Sequence, residues 1–284
     1  MRVAAAALAL LFSFPGIAMD VQGHRGTRGN LPENTLPAFQ RALEIGVDTL
    51  ELDCGVTKDH VVVVHHDRRL NPDVARGADG EWIKAPGPTI YSLAWDELQR
   101  YDVGRIRPGS EYAQRFPHQK PLDGTRIPRL ADLFAMAGTK VRYNIETKLL
   151  PTHGQETVGP EEFARLLIRE IQKAKVEATL QSFDWRTLKI AEKTAPEIGT
   201  VYLTESRDAE PQTVASAGGR IWSPSLKDVT QRKLSIARSL GLRVVAWTVN
   251  EPADIATAID IGLDGIISDY PDRVIAELKR RGAR

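Results

Sequence analysis

Short apolar runs alternate with amphipathic stretches of helical length along all 284 residues, and this rhythm limits the fold more than any other feature. Runs of four to ten residues lie at 20–23, 47–56, 61–66, 141–148, 179–183, 199–204, 220–224, 242–249 and 265–268. Between them, 36–45, 127–137, 160–176, 185–194, 211–217, 230–240 and 253–261 carry the spacing of helices that bury one face. Strands that alternate with helices belong in a parallel sheet covered by those helices. The expected fold is a TIM-type (β/α)8 barrel. Nine strand candidates compete for eight positions, so one must be short or peripheral. A doubly wound open sheet is the competing topology, but no glycine-rich phosphate loop of the form such folds use follows the first strand.

One segment breaks the rhythm. Residues 68–127 are rich in Gly, Pro and charge, too long for an ordinary βα loop, and they read as a small insertion after the third strand. Their aromatics, Trp82, Tyr91, Trp95, Tyr101, Tyr112 and Phe116, suit the insertion's own core better than a wall over a ligand.

The strand ends carry the chemistry. The first closes on Gly23-His24-Arg25-Gly26, the second holds Glu51 and Asp53, the third ends in His66-Asp67, and the fourth runs through Asn144, Glu146 and Lys148. Period-two alternation puts Glu51 and Asp53 on one face, and Glu146 and Lys148 likewise. Polar, titratable residues closing four successive strands imply a shared site at the carboxyl ends of a parallel sheet. Three carboxylates together form a hard-oxygen site suited to Mg2+ or Ca2+ rather than zinc. His24 and His66 can exchange protons with a bound group, while Arg25 and Lys148 supply the fixed positive charge that a phosphoryl transition state needs. Such a set describes phosphodiester cleavage. His65, pointing away from His66, reads as structural.

Charge and cysteine content narrow the partners. With 38 basic and 37 acidic residues and no block of one sign, neither nucleic-acid binding nor a polybasic membrane footprint is indicated, and a small polar substrate fits better. Met1-Arg2, an apolar run to Phe14 and small residues at Gly16 and Ala18 read as a signal peptide over 1–18, hence a periplasmic or secreted protein. No later segment is long and apolar enough to span a membrane. Cys54, the single cysteine, reads as a small buried apolar residue.

His24-Arg25-Gly26, Pro32-Glu33-Asn34-Thr35, Glu51-Leu52-Asp53, His66-Asp67, Asn144 to Lys148, Ser182-Phe183, Trp247 to Asn250 and Asp264 to Asp269 together resemble, in order and spacing, the successive motifs of the glycerophosphodiester phosphodiesterases. The resemblance implies a TIM-type barrel and a divalent metal held by Glu51, Asp53 and Glu146. It also implies His24 and His66 as the acid/base pair, phosphate contacts from Arg25 and Lys148, and Trp247 lining the pocket. The activity it implies is hydrolysis to sn-glycerol 3-phosphate and an alcohol. Two departures stand out: Thr147 replaces the usual isoleucine on a side chain expected to face away from the site, and residues 70–80 lack the common Arg-Thr-Thr. A lysophospholipase D acting at a membrane surface would call for an apolar rim on the insertion. A binding protein without turnover would need neither histidine.

Overall fold

The computed structural model describes residues 19–206 and 210–284; the expected signal peptide, 1–18, lies outside them. Eight strands close into a parallel barrel: β1 (Asp20–Gly23), β2 (Thr49–Val56), β4 (Arg142–Thr147), β5 (Ala178–Ser182), β6 (Gly199–Thr204), β7 (Ile221–Pro224), β8 (Arg243–Ala246) and β9 (Gly265–Ser268). Each pairs in parallel with its neighbours, and β1 seals the ring by pairing with both β2 and β9.

The ninth strand, β3 (Val62–Val64), is not a barrel strand. It runs antiparallel to β2, with Cys54 opposite Val64 and Val56 opposite Val62. This corrects the expectation of four successive parallel strands at the site. The cause is the turn at Lys58-Asp59-His60, closed by Thr57 and Val61 through a 3.0 Å backbone bond. A tight turn can only fold a strand back on itself, since a parallel pair needs a crossover of about a dozen residues. The hairpin therefore climbs past the rim and returns, and the His65 N–H donated to Asp53 O at 2.9 Å sets His66 back at rim level.

The helices α1 (Leu36–Ile45), α4 (Leu130–Ala137), α5 (Pro160–Ala174), α6 (Trp185–Thr194), α7 (Pro211–Ser216), α8 (Gln231–Ser239), α9 (Pro252–Asp260) and α10 (Pro271–Arg280) cover the barrel; two short ones, α2 (Trp95–Leu98) and α3 (Glu111–Arg115), lie in the insertion. In α1 the Thr35 hydroxyl accepts from Ala38 N–H at the start, Gly46 (φ 88°) closes the end, and Ala38, Phe39 and Ala42 turn inward. Outward-facing strand residues such as Val21, Leu50, Leu52, Tyr143, Ile145 and Leu180 meet the helices in one continuous core. Truncating any of these leucines to alanine should cost about 2–5 kcal/mol.

Beside β1, β2, β4 and β5 the barrel interior is polar, whereas Val201, Ile221 and Val245 of β6, β7 and β8 supply the branched aliphatics usual there. Asp20 accepts from Gln22, Thr49 and Arg142; Asn144 donates to Gln22 and Gln181; and Gln181 donates to Glu51 at 2.6 Å. A hydrogen-bonded chain thus runs from the floor of the barrel to its functional rim.

Residues 68–127 build a small core of their own from Leu70, Ala75, Ile90, Leu98, Val103 and Ile127, against which Trp95 and Tyr101 pack. Trp82 stacks under Arg76 and Tyr91 packs on the barrel side, so most of the segment's aromatics are structural, as the sequence suggests. Tyr112 and Phe116 differ: Tyr112 lines the pocket at the rim, and Phe116 lies under the Arg28 guanidinium at 4.7 Å.

Candidate active site

The loop after β1 is shaped by two glycines. A Cβ on Gly23 would lie 2.4 Å from Gly26 O, and Gly26 (φ 83°) lies against α1 so closely that a Cβ would meet Ala38 at 2.7 Å. This tight wrap aims the Arg25 backbone N–H at Glu51 Oε2, 3.0 Å away, and sends the His24 and Arg25 side chains over the rim. On the neighbouring strands, register sets Asp53 beside Glu146, and Glu146 beside Gln181.

Glu51, Asp53 and Glu146 meet with one oxygen each, all within 4.8 Å of one another, and all three are buried. Arg25 Nε lies 3.2 Å from Asp53 Oδ2, and its Nη1 donates to Glu33 at 2.7 Å. Asn34 donates a hydrogen bond to Asp53 Oδ2 at 2.9 Å, whereas the buried Asp53 Oδ1 has no hydrogen-bond partner. Lys148 donates to Glu146 at 2.8 Å and approaches Asp53 Oδ1 at 3.6 Å. Burial and the neighbouring Asp53 push Glu51 well above the ordinary carboxylate range. Burial likewise lifts Glu146 to about 7, although Lys148 opposes it. Asp53 resists burial because Arg25, His66 and Lys148 hold it down. Three buried carboxylates that cannot all remain charged unaided, one with an oxygen that accepts no hydrogen bond, fit a divalent cation.

Two imidazoles enter the same cavity, each with Nδ1 on a carboxylate. His24 Nδ1 lies 2.7 Å from Asp269 Oδ1, and His66 Nδ1 lies 2.6 Å from Asp67 Oδ1. Nδ1–H donation to a carboxylate leaves each Nε2 able to exchange a proton. His24 Nε2 is 3.8 Å from Glu51 Oε2. Burial, outweighing Asp269, draws His24 down to about 4, and burial lowers His66 also, so both favour the neutral ring.

The cavity, of about 420 Å3, is lined by His24, Arg25, Glu51, His66, Glu146, Lys148 and Trp247, so seven of the eight residues singled out in the sequence face it. The eighth, Asp53, lies beneath them within the acidic trio. Trp247 stands edge-on to Phe183 at 5.6 Å and donates its indole N–H to Ser223 O. Thr147 points away, bonded to Ser182 and Thr187, and His65 lies buried beneath the insertion.

Several partners escape a reading by residue type. Arg28 grips both oxygens of Asp269, through Nε to Oδ1 (2.7 Å) and Nη2 to Oδ2 (3.1 Å), and Asn250 donates to the same Oδ2 at 2.7 Å. Arg28 and His24 hold the buried Asp269 carboxyl far below its usual range. Arg28 sits four residues beyond His24, and Asp269 directly follows the last strand as His24 directly follows the first. Those positions were the available signals. Tyr112 reaches from the insertion to donate to Glu33, and Gln119 donates to Arg28 O, so the insertion is fastened to the arginine loop.

Residues 24–273 match the model of the Glycerophosphoryl diester phosphodiesterase family. A glycerophosphodiester phosphodiesterase of Caldanaerobacter subterraneus subsp. tengcongensis is 31% identical over 270 residues, spanning 92% of this chain and 98% of its own. A crystal structure from Silicibacter pomeroyi, assigned by name to the same family, superposes with a TM-score of 0.88 at 34% identity over 95% of each chain. The fold is shared, at a TM-score of 0.74 and 22% identity over 92% of this chain and 97% of the other, by an Oleispira antarctica phosphodiesterase solved with its product sn-glycerol-3-phosphate. With its motif residues gathered at one barrel mouth and the match running almost end to end, this chain belongs to the glycerophosphoryl diester phosphodiesterase family.

Proposed function

We propose that the protein hydrolyses glycerophosphodiesters to sn-glycerol 3-phosphate and an alcohol, with Glu51, Asp53 and Glu146 holding Mg2+ or Ca2+ and with His24 and His66 as the acid/base pair. One observation carries the reading: two imidazoles, each tied through Nδ1 to its own carboxylate, share a cavity with a buried acidic trio and two cationic side chains. Binding alone would need no such pair of oriented proton carriers.

When bound, a divalent ion would neutralise phosphate charge and polarise the phosphoryl oxygens. Arg25 and Lys148, at the pocket wall, orient the phosphate and offset the charge that grows on it. One Nε2 takes the proton of the attacking hydroxyl, whether the glycerol 2-hydroxyl or water, as its oxygen bonds to phosphorus. The other ring, protonated beside the anionic phosphate, gives its Nε2 proton to the alcohol oxygen as the second P–O bond breaks. After attack by the 2-hydroxyl, water opens the cyclic phosphate with the roles reversed. Asp269 and Asp67 keep each proton on Nδ1 between steps.

Export is part of the same proposal and rests on the composition of residues 1–18; no helix among the described residues is long and apolar enough to cross a membrane. The test is turnover of glycerophosphocholine by the purified chain, following glycerol 3-phosphate and choline, with EDTA and then with Mg2+ or Ca2+ restored. Release of both products that stops with chelator and returns with metal is expected. Turnover indifferent to EDTA, or none with any metal, would refute the reading.

A further inference from the structure

The insertion reaches the catalytic mouth through one short helix. Ser110 caps α3, its hydroxyl accepting from Ala113 N–H at 3.0 Å, and Tyr112 and Phe116, four residues apart, pack edge-on at 5.2 Å along one face. That face meets the loop after β1. The Arg28 guanidinium lies over the buried Phe116 ring, Gln119 Nε2 donates to Arg28 O at 2.7 Å, and Lys120 N–H donates to Asn30 O at 2.8 Å. The Tyr112 hydroxyl is thereby held between two charged side chains of the loop: it donates to Glu33 Oε2 and accepts from Arg28 Nη1 at 3.4 Å. Burial, with Glu33 beside it, pushes the phenol well above its usual range, so it keeps the proton it donates. Against burial, Arg25 and then Arg28 hold the Glu33 carboxyl below its usual range, so it stays charged.

The orientation of Arg25 depends on Glu33. Arg25 Nη1 donates to Glu33 Oε1 at 2.7 Å, whereas the buried Arg25 Nε, although 3.2 Å from Asp53 Oδ2, makes no hydrogen bond. Both Glu33 oxygens are thus engaged, one by Arg25 and one by the insertion's phenol. Without the phenol the carboxylate is free to turn about its last torsion, which is broad, and to carry Arg25 with it. We infer that Tyr112 is a positioning residue for phosphodiester cleavage: from the insertion it fixes the Glu33 carboxylate and, through it, the Arg25 guanidinium at the wall of the cavity. This rests on the diesterase reading and makes the insertion part of the catalytic apparatus. A fixed guanidinium matters most where charge grows on the phosphoryl oxygens, so the effect falls on the transition state more than on bound substrate.

The test is kcat and KM for glycerophosphocholine, with saturating Mg2+ or Ca2+, for wild type, Tyr112→Phe, Glu33→Ala and the double variant, alongside circular-dichroism melts. Phenylalanine keeps the ring on Phe116, so Tyr112→Phe should stay folded at the assay temperature while kcat falls by about tenfold or more and KM changes by no more than about threefold. Glu33→Ala should lower kcat at least as far. On that background Tyr112→Phe should cost no more than about threefold, because the link it breaks is already gone. A smaller fall in kcat for Tyr112→Phe would leave the phenol as a fastening only, and a larger cost beside Glu33→Ala would show it acting on the substrate or the fold directly. Either result, or a Glu33→Ala variant as active as wild type, overturns this inference alone. No turnover by the wild type overturns it together with the diesterase reading.

Discussion

Asp269→Asn separates orientation from shape, because the amide nearly matches the carboxylate in volume. Asp269 is 1% exposed and joins three side chains through four nitrogens, His24 Nδ1 and Arg28 Nε on Oδ1 and Arg28 Nη2 and Asn250 Nδ2 on Oδ2. With its oxygen on the Oδ2 side the amide still accepts from Arg28 Nη2 and Asn250, and its nitrogen then faces the imidazole and forces the proton onto Nε2, where His24 can no longer act as a base. A charge-assisted hydrogen bond contributes about 1.5–3 kcal/mol, so kcat should fall by about 10- to 150-fold with little change in KM. The buried Arg28 guanidinium also loses its counter-charge, which should destabilise the fold by about 3 kcal/mol and lower the melting temperature by several degrees. The folded pKa of Asp269 is depressed, so its contribution is complete above the ordinary carboxylate range and fades as pH falls toward the folded value. The melting-temperature gap between wild type and variant should accordingly be widest near neutrality and narrow in acid. Steady-state kinetics on glycerophosphocholine and circular-dichroism melts from neutral pH to about 3 read both effects. A kcat unchanged with the fold intact, or a gap that stays constant down the acid limb, would refute the argument.

Other positions give sharper or simpler outcomes. His24→Ala and His66→Ala should each abolish glycerophosphocholine turnover while melting within about 2–4 °C of wild type, since both side chains stand at the rim rather than in the packed core; activity near the wild-type level in either would remove the acid/base pair. Glu146→Gln should raise the metal concentration for half-maximal activity at least about tenfold, and a metal titration with an unchanged midpoint would take Glu146 out of the ligand set. Gly26→Ala forces a side chain into a positive-φ backbone pressed on α1, and should cost at least about 2 kcal/mol in denaturant unfolding; an unaltered midpoint would show that the loop relaxes freely.

The barrel was legible because its outer face obeys a simple rule: apolar strand residues recur with helices between them. The same rule misassigned β3, whose composition matches a barrel strand while its three-residue turn from β2 allows only a hairpin. Turn length, not residue type, held that information. At the site, Glu51, Asp53 and Glu146 were readable because alternation puts them on one face, and His24 and His66 because each follows a strand end. Asp269 and Arg28 were harder, since their pairing joins positions 241 residues apart and depends on β1 and β9 meeting at barrel closure.

The polar half of the interior explains how the rim can hold so much charge in fixed geometry. Gln22, Asn144 and Gln181 are each at most 5% exposed, and an unpaired amide there would cost about 1–3 kcal/mol. The chain of bonds from Asp20 through Gln22, Asn144 and Gln181 avoids that penalty only when every amide takes one orientation. Its last bond, Gln181 to Glu51 Oε1, occupies one carboxylate oxygen and leaves the other to meet the Arg25 N–H beneath His24. An aliphatic interior would pack as well but would leave Glu51 free to rotate away from Asp53 and Glu146. The amides thus trade some hydrophobic stabilisation for a single position of one carboxylate, and alternation of polar and apolar residues along strands buried on both faces is the mark of that exchange.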